Sequence, residues 1–180
     1  MRFRIIPALI ITLFVILVFF YGCIKKDVYP VEPQISLISF KKLPDTTGID
    51  QQGVIALSYT DGDGDLGLTP DQNTGDFHYN LFIKYFEKKK GKFEEVTITT
   101  PNAQTGNPDT LWFNGRIPYL TPIGKNKAIS GEIYDTLFIN NYTSPYDTIK
   151  YQIYIQDRAL HKSNVVETPE IIINKKALKP

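Results

Sequence analysis

Beyond residue 33 the apolar residues of this chain recur at every second position, a period that belongs to half-buried β-strands and not to helices. Ile149, Tyr151, Ile153 and Ile155 alternate with Lys150, Gln152, Tyr154 and Gln156. Ile55, Leu57 and Tyr59 alternate with Val54, Ala56 and Ser58, and Leu81, Ile83 and Tyr85 with Phe82, Lys84 and Phe86. Further runs cover Ile35 to Phe40, Phe93 to Thr99, Ile129 to Ile139, and Val165 to Ile173, the last broken by Pro169. Glu87-Lys-Lys-Lys-Gly-Lys92 has the chemistry of a charged hairpin turn. Pro101 to Lys127 holds five Asn or Gln, four Pro and three Gly, which predicts loop or short edge strand. About seven strands in one domain over residues 34–180 predict an all-β fold, an antiparallel immunoglobulin-like β-sandwich, with a jelly roll or small barrel as alternatives.

The N-terminus has a different grammar. Met1-Arg-Phe-Arg4 is basic, and Ile5 to Phe20 are 16 residues without a charge. That run is shorter than the about 20 apolar residues a spanning helix needs, and it sits where a signal peptide's apolar region belongs. Phe20-Tyr21-Gly22-Cys23 resembles a bacterial lipoprotein lipobox, with Phe20 in place of Leu and Tyr21 in place of a small residue. The resemblance implies that residues 1–22 are a removable lipoprotein signal peptide. It also implies that the Cys23 thiol carries a diacylglyceryl group and its amine a further acyl chain such as palmitate. At about 0.8 kcal/mol per buried methylene, several chains anchor far more firmly than one. Residues 23–33, with Lys25, Lys26, Pro30 and Pro33, then form a tether. An uncleaved N-terminal anchor with an incidental cysteine is the competing reading.

Composition narrows the function classes. The chain has 180 residues, 42% of them hydrophobic and 13% aromatic, enough apolar mass for one core and too much for wholesale disorder. Net charge is +1, and loss of Arg2 and Arg4 leaves 18 basic against 19 acidic residues, a balance that excludes a strongly basic nucleic-acid binder. One cysteine, one methionine and two histidines exclude a disulfide scaffold, a Cys/His zinc site and most histidine-based catalysis.

One motif carries chemistry. Asp61-Gly-Asp-Gly-Asp-Leu-Gly67 sets three carboxylates at alternate positions, with Gly62 and Gly64 free to adopt backbone angles that turn them toward one point. Charges about 4 Å apart repel by about 1 kcal/mol even in water, so their convergence calls for a cation. Oxygen-only ligands favour Ca²⁺ over zinc or copper, in a structural role. An EF-hand is excluded, because its sixth and twelfth positions hold Leu66 and Gln72 here. In an immunoglobulin-like order the loop after the second-to-last strand lies at the same pole, so Asp157 is expected to join Asp61, Asp63 and Asp65 as a ligand. Asp76 is a further candidate, and a solvated glycine-rich turn is the alternative for the whole motif.

The lipobox, Tyr59-Thr-Asp-Gly-Asp-Gly-Asp-Leu-Gly67, Ile117-Pro-Tyr-Leu-Thr-Pro122 and Asp157-Arg-Ala-Leu-His-Lys-Ser-Asn164 together resemble a group of uncharacterised Bacteroidetes lipoproteins. The last segment is also similar to the loop before the final strand of many bacterial immunoglobulin-like and fibronectin-like modules, with Leu160 and His161 replacing its Gly and Asn. The resemblance implies a lipid-anchored protein of the cell envelope, at the outer membrane, with no assigned enzymatic activity. Asp45-Thr46, Asp109-Thr110, Asp135-Thr136 and Asp147-Thr148 resemble the O-glycosylation signal of such bacteria and equally fit turn-to-strand junctions.

A glycosidase needs two carboxylates across a cleft, and Asp61, Asp63 and Asp65 are too close in sequence to flank a sugar. His78 and His161 lie in loops without a nucleophile elbow. No catalytic residue is assigned, and a non-catalytic binding or structural module is expected, with a small envelope hydrolase for glycans or esters as the alternative. Trp112, Phe113 and Tyr119 could form an aromatic platform for a glycan or an envelope protein partner; packing against the sheets is their other reading.

Overall fold

In the computed structural model, residues 28–120 and 127–176 are described. The proposed signal peptide and Cys23 lie outside them. Among the described residues ten strands follow in chain order: β1 (Gln34–Pro44), β2 (Asp50–Asp61), β3 (Leu81–Lys89), β4 (Lys92–Glu95), β5 (Ile98–Thr100), β6 (Asp109–Leu111), β7 (Ile129–Phe138), β8 (Thr148–Ile155), β9 (Val166–Glu167) and β10 (Ile171–Ile172). All pairings between them are antiparallel.

Two sheets form the sandwich, one ordered β1-β2-β7 and the other β10-β8-β3-β4, with β9 beside β8 and a separate β5-β6 ribbon. Lettered along the chain this is A-B-E against G-F-C-C′, the immunoglobulin-like arrangement. The excess over seven strands has local causes. Phe93 to Thr99 divides because β4 pairs with β3 whereas β5 turns away to pair with β6. Val165 to Ile173 divides around Pro169, whose missing N–H cannot continue a ladder. Among the described residues of the Pro101 to Lys127 stretch, only β6 is a strand.

The period-two pattern does what it predicts. Along β8, Ile149, Tyr151, Ile153 and Ile155 are fully buried while Lys150, Gln152 and Tyr154 face outward, and β3 buries Leu81, Ile83 and Tyr85 against them in register. Ile55 and Leu57 of β2 close the core from the opposite sheet. The rings of Phe40 and Tyr151 stack across the sandwich at 6.1 Å. Phe113, read above as a platform candidate, packs instead on Tyr85 and Tyr151, each at 5.6 Å between ring centroids.

The loops are tied by their own polar atoms. Lys90 and Gly91, both at positive φ, make the two-residue turn between β3 and β4. Asp45 Oδ1 accepts from the N–H of Thr47 at 2.8 Å and of Ile49 at 3.0 Å, while Thr136 and Thr148 lie in β7 and β8. Asp45-Thr46 thus sits at a turn, and Asp109-Thr110 and Asp147-Thr148 at strand starts, whereas Asp135-Thr136 lies inside β7, paired with β2, and opens no strand. At the pole beyond β7, the buried Glu87 carboxylate accepts from Asn141 Nδ2 at 2.9 Å and Ser144 Oγ at 2.8 Å. Among the described residues no helix is long and apolar enough to cross a membrane.

Ile153 is 0% exposed and Ile172 is 65% exposed. Ile153→Ala is therefore expected to lower the unfolding free energy by about 2–5 kcal/mol, and Ile172→Ala by no more than about 0.5 kcal/mol, as read from urea denaturation.

Candidate metal centre

The acidic loop begins inside the sheet. Asp61 is the last residue of β2, paired with Ile129 of β7, and is fully buried. Its carboxylate turns back on its own loop and accepts from the N–H of Gly64 at 3.3 Å and of Leu66 at 2.8 Å. Leu66 and Leu68 plunge into the core, and Leu68 N–H donates to Ile117 O at 3.0 Å. With both ends held, the segment from 62 to 65 has little choice but to arch over the pole.

Glycines make the arch fit, in two ways. Gly64 and Gly67 adopt φ of +68° and +96°, which side-chain-bearing residues rarely take. Gly62 is needed for space: a Cβ there would lie 2.4 Å from the carbonyl oxygens of both Tyr29 and Pro30. Its N–H donates to Pro30 O at 2.8 Å. Tyr29 and Pro30 thus lie directly on the acidic loop.

Carboxylate oxygens of Asp61, Asp63 and Asp65 lie within 4.8 Å of one another. Oδ1 of Asp63 and Oδ1 of Asp65 are buried with no hydrogen-bond partner. Burial, reinforced by neighbouring Asp63, pushes the Asp61 carboxyl up to about 6. Burial also raises Asp65, with Asp157 and then Asp63 adding to it. Unpartnered buried oxygens and carboxyls that resist ionisation are what a cation would relieve, and this cluster could bind a metal ion.

The distant loop after β8 reaches the same pole. Arg158 N–H donates to Asp65 O at 3.3 Å, and its guanidinium to Gly67 O at 2.8 Å. Asp157 is buried, but its carboxylate is committed: Oδ1 accepts from His161 N–H at 2.8 Å and Oδ2 lies 3.0 Å from His161 Nδ1. It therefore adjoins the three-aspartate group and acts on it through charge, outside the 4.8 Å set. His161, which shows no signal in sequence beyond its spacing of four from Asp157, is raised above its ordinary range by that contact. Asp76 lies on an exposed 3-10 turn and does not join the group.

The aromatic candidates separate. Tyr119 lies over the Arg158 guanidinium at 4.6 Å, beside the acidic pole. Trp112 is 66% exposed and lines a cleft on the outer face of the β3–β8 sheet. Arg116 is a residue that spacing gives no reason to single out. Its guanidinium donates to four carbonyls, Phe77 and His78 at 2.7 and 2.8 Å, Thr69 and Gln72 at 3.0 and 2.7 Å, and so fixes the far half of the acidic loop.

No protein-family model, curated protein or solved structure matches this chain.

A carboxyl raised on folding stabilises the fold while protonated in both states and loses that contribution as pH rises through its folded value. In chelator, the share from Asp61 is complete below its ordinary 3.8 and disappears as pH passes about 6. The unfolding midpoint of the metal-free protein is therefore expected to fall between pH 4 and 7 through this group, and Asp61→Asn to flatten that slope in a pH-resolved melting series.

Proposed function

We propose that the chain is a lipid-anchored, extracytoplasmic β-sandwich that binds Ca²⁺ at its acidic pole and acts as a non-catalytic interaction module of the cell envelope, held at the outer membrane through acylated Cys23. The observation that carries the cation reading is the pair of unpartnered, buried Oδ1 atoms of Asp63 and Asp65 beside Asp61. All donors there are hard oxygens, the set that suits Ca²⁺. Mg²⁺ is disfavoured because it gives up its waters reluctantly. Asp61, Asp63 and Asp65 would hold the ion, and main-chain carbonyls or water would complete the six to eight oxygens Ca²⁺ takes. Binding would supply the positive charge that the raised carboxyls lack and so pin the loop between β2 and β3.

The anchoring reading rests on the basic Met1 to Arg4, the uncharged Ile5 to Phe20 and the single cysteine at the end of that run. Protein contacts, with an envelope protein or a glycan, follow from a small rigid sandwich held at a surface; nucleic acid does not suit its charge balance.

Extracellular modules bind Ca²⁺ at about 10⁻⁴ to 10⁻³ M. At 10 mM Ca²⁺ the fold is expected to gain about 1–3 kcal/mol by mass action, read as a higher melting temperature than in chelator. Asp63→Ala should abolish the difference. Superposable melting curves in saturating Ca²⁺ and in chelator reject the ion. Separately, Cys23→Ala is expected to move the protein from the detergent-rich to the aqueous phase in Triton X-114 partitioning and to end palmitate labelling; retention in the detergent phase, without label in either form, favours the uncleaved anchor.

A further inference from the structure

We propose that the outer face of the β3–β8 sheet binds a neutral glycan chain in two adjoining clefts divided by the stacked rings of Phe82 and Tyr154. This rests on reading the chain as a non-catalytic binding module and supplies that module's ligand class and site.

Phe82 and Tyr154 are direct cross-strand partners on the outward face of their sheet. Their rings stack at 4.7 Å and 9°. Both rings line both clefts, so the pair acts as a wall between them. One cleft, about 240 Å³, runs from this wall past Lys84 and Glu95 to the exposed Trp112. The other, about 260 Å³, runs toward Asp76, His78 and Lys162. His78 and Tyr79 meet edge to face at 4.3 Å on its border.

This pattern of flat apolar surface rimmed by separate donors and acceptors matches a pyranose ring. The C–H face of the sugar lies on an aromatic ring, and its equatorial hydroxyls meet polar groups at the edge. Charge supports an uncharged ligand. Lys84 and Glu95 pair at 3.0 Å in the first cleft, and Lys162 and Asp76 both border the second, so each carries one cation and one anion. Lys162 Nζ sits 5.7 Å from the Tyr154 ring, at the rim.

A peptide is the poorer fit, because the floor offers no free backbone ladder for strand addition. The β3 edge is closed by Gly115, which exchanges two bonds with Leu81 at 3.1 and 2.8 Å, by Asn114 Oδ1, which accepts from Ile83 N–H at 3.0 Å, and by Val96 N–H, which donates to Tyr85 O at 2.9 Å. On β8, β9 pairs with Gln152 and Ile153, and Ser163 N–H donates to Ile155 O at 2.9 Å. Recognition must therefore come from side chains. Two aromatic-walled compartments in a row suit a polymer of rings.

The test is calorimetric titration of the detergent-solubilised full chain with cellohexaose, mannohexaose, xylohexaose and maltohexaose, alongside hexagalacturonate and a random decapeptide mixture. At least one neutral hexasaccharide is expected to bind. Trp112→Ala, at an exposed position, and Tyr154→Ala should each weaken it about tenfold or more, while Ile172→Ala, exposed and outside both clefts, leaves it unchanged. The proposal is overturned if none of the four binds, if affinity ignores both aromatic replacements, or if hexagalacturonate or the decapeptides bind in a Trp112-dependent way instead. Recovery of the hexasaccharide intact keeps the non-catalytic reading. Shortened products with Trp112-dependent binding sink that reading and leave the cleft standing.

Discussion

Facing side chains of β2, β3 and β8 hold everything else in position. Ile55, Leu57, Ile149, Tyr151, Ile153 and Ile155 are each 0% exposed. Burial of such side chains contributes about 1.5–3 kcal/mol apiece against the chain entropy that folding removes. Because those strands are pinned along their lengths, their ends arrive at fixed points. A long loop such as Gly62 to Asn80 can then be ordered by a few bonds from Arg116 and Asn80, since its anchors are already set. The polar pole is a by-product of an apolar middle.

At that pole the energetics run the other way. Asp61, Asp63 and Asp65 gain little from one another; they crowd because Leu66 and Leu68 must enter the core and the intervening glycines permit the bend. The protein offsets part of the resulting strain with the N–H groups of Gly64 and Leu66 on Asp61 and leaves Oδ1 of Asp63 and of Asp65 without protein donors. Local repulsion tolerated inside a stable scaffold is a common mark of a site built for something that arrives later.

Much of this was legible beforehand, for reasons that differ by residue. The strand faces follow from alternation alone, which is why Leu81, Ile83 and Tyr85 read correctly. The meeting of the loops after β2 and β8 follows from sandwich connectivity. What alternation cannot encode is which partner a short strand selects, so the run from Phe93 to Thr99 reads as one strand although two different neighbours claim it. Nor can it encode competition for a side chain: Asp157 arrives at the pole but is engaged by His161, four residues on. Gly62 reads as a hinge, whereas it is required because Tyr29 and Pro30 lie against it. The pairing of Phe82 with Tyr154 depends on register across 72 positions of chain, which a linear pattern does not carry.

The contact between Pro30 and Gly62 has a mechanical corollary. With acylation at Cys23, six residues would lie between the lipidated position and this contact, and the seven steps from Cys23 to Pro30 reach at most about 25 Å at full extension. The domain would then hang from its acidic end, with the β7–β8 turn directed outward. Pulling on a bound partner would load the chain through Pro30 and into the acidic loop first. Whatever stiffens that loop would also stiffen the suspension point, so a cation held by the three aspartates would restrict how freely an acylated molecule swivels above the bilayer.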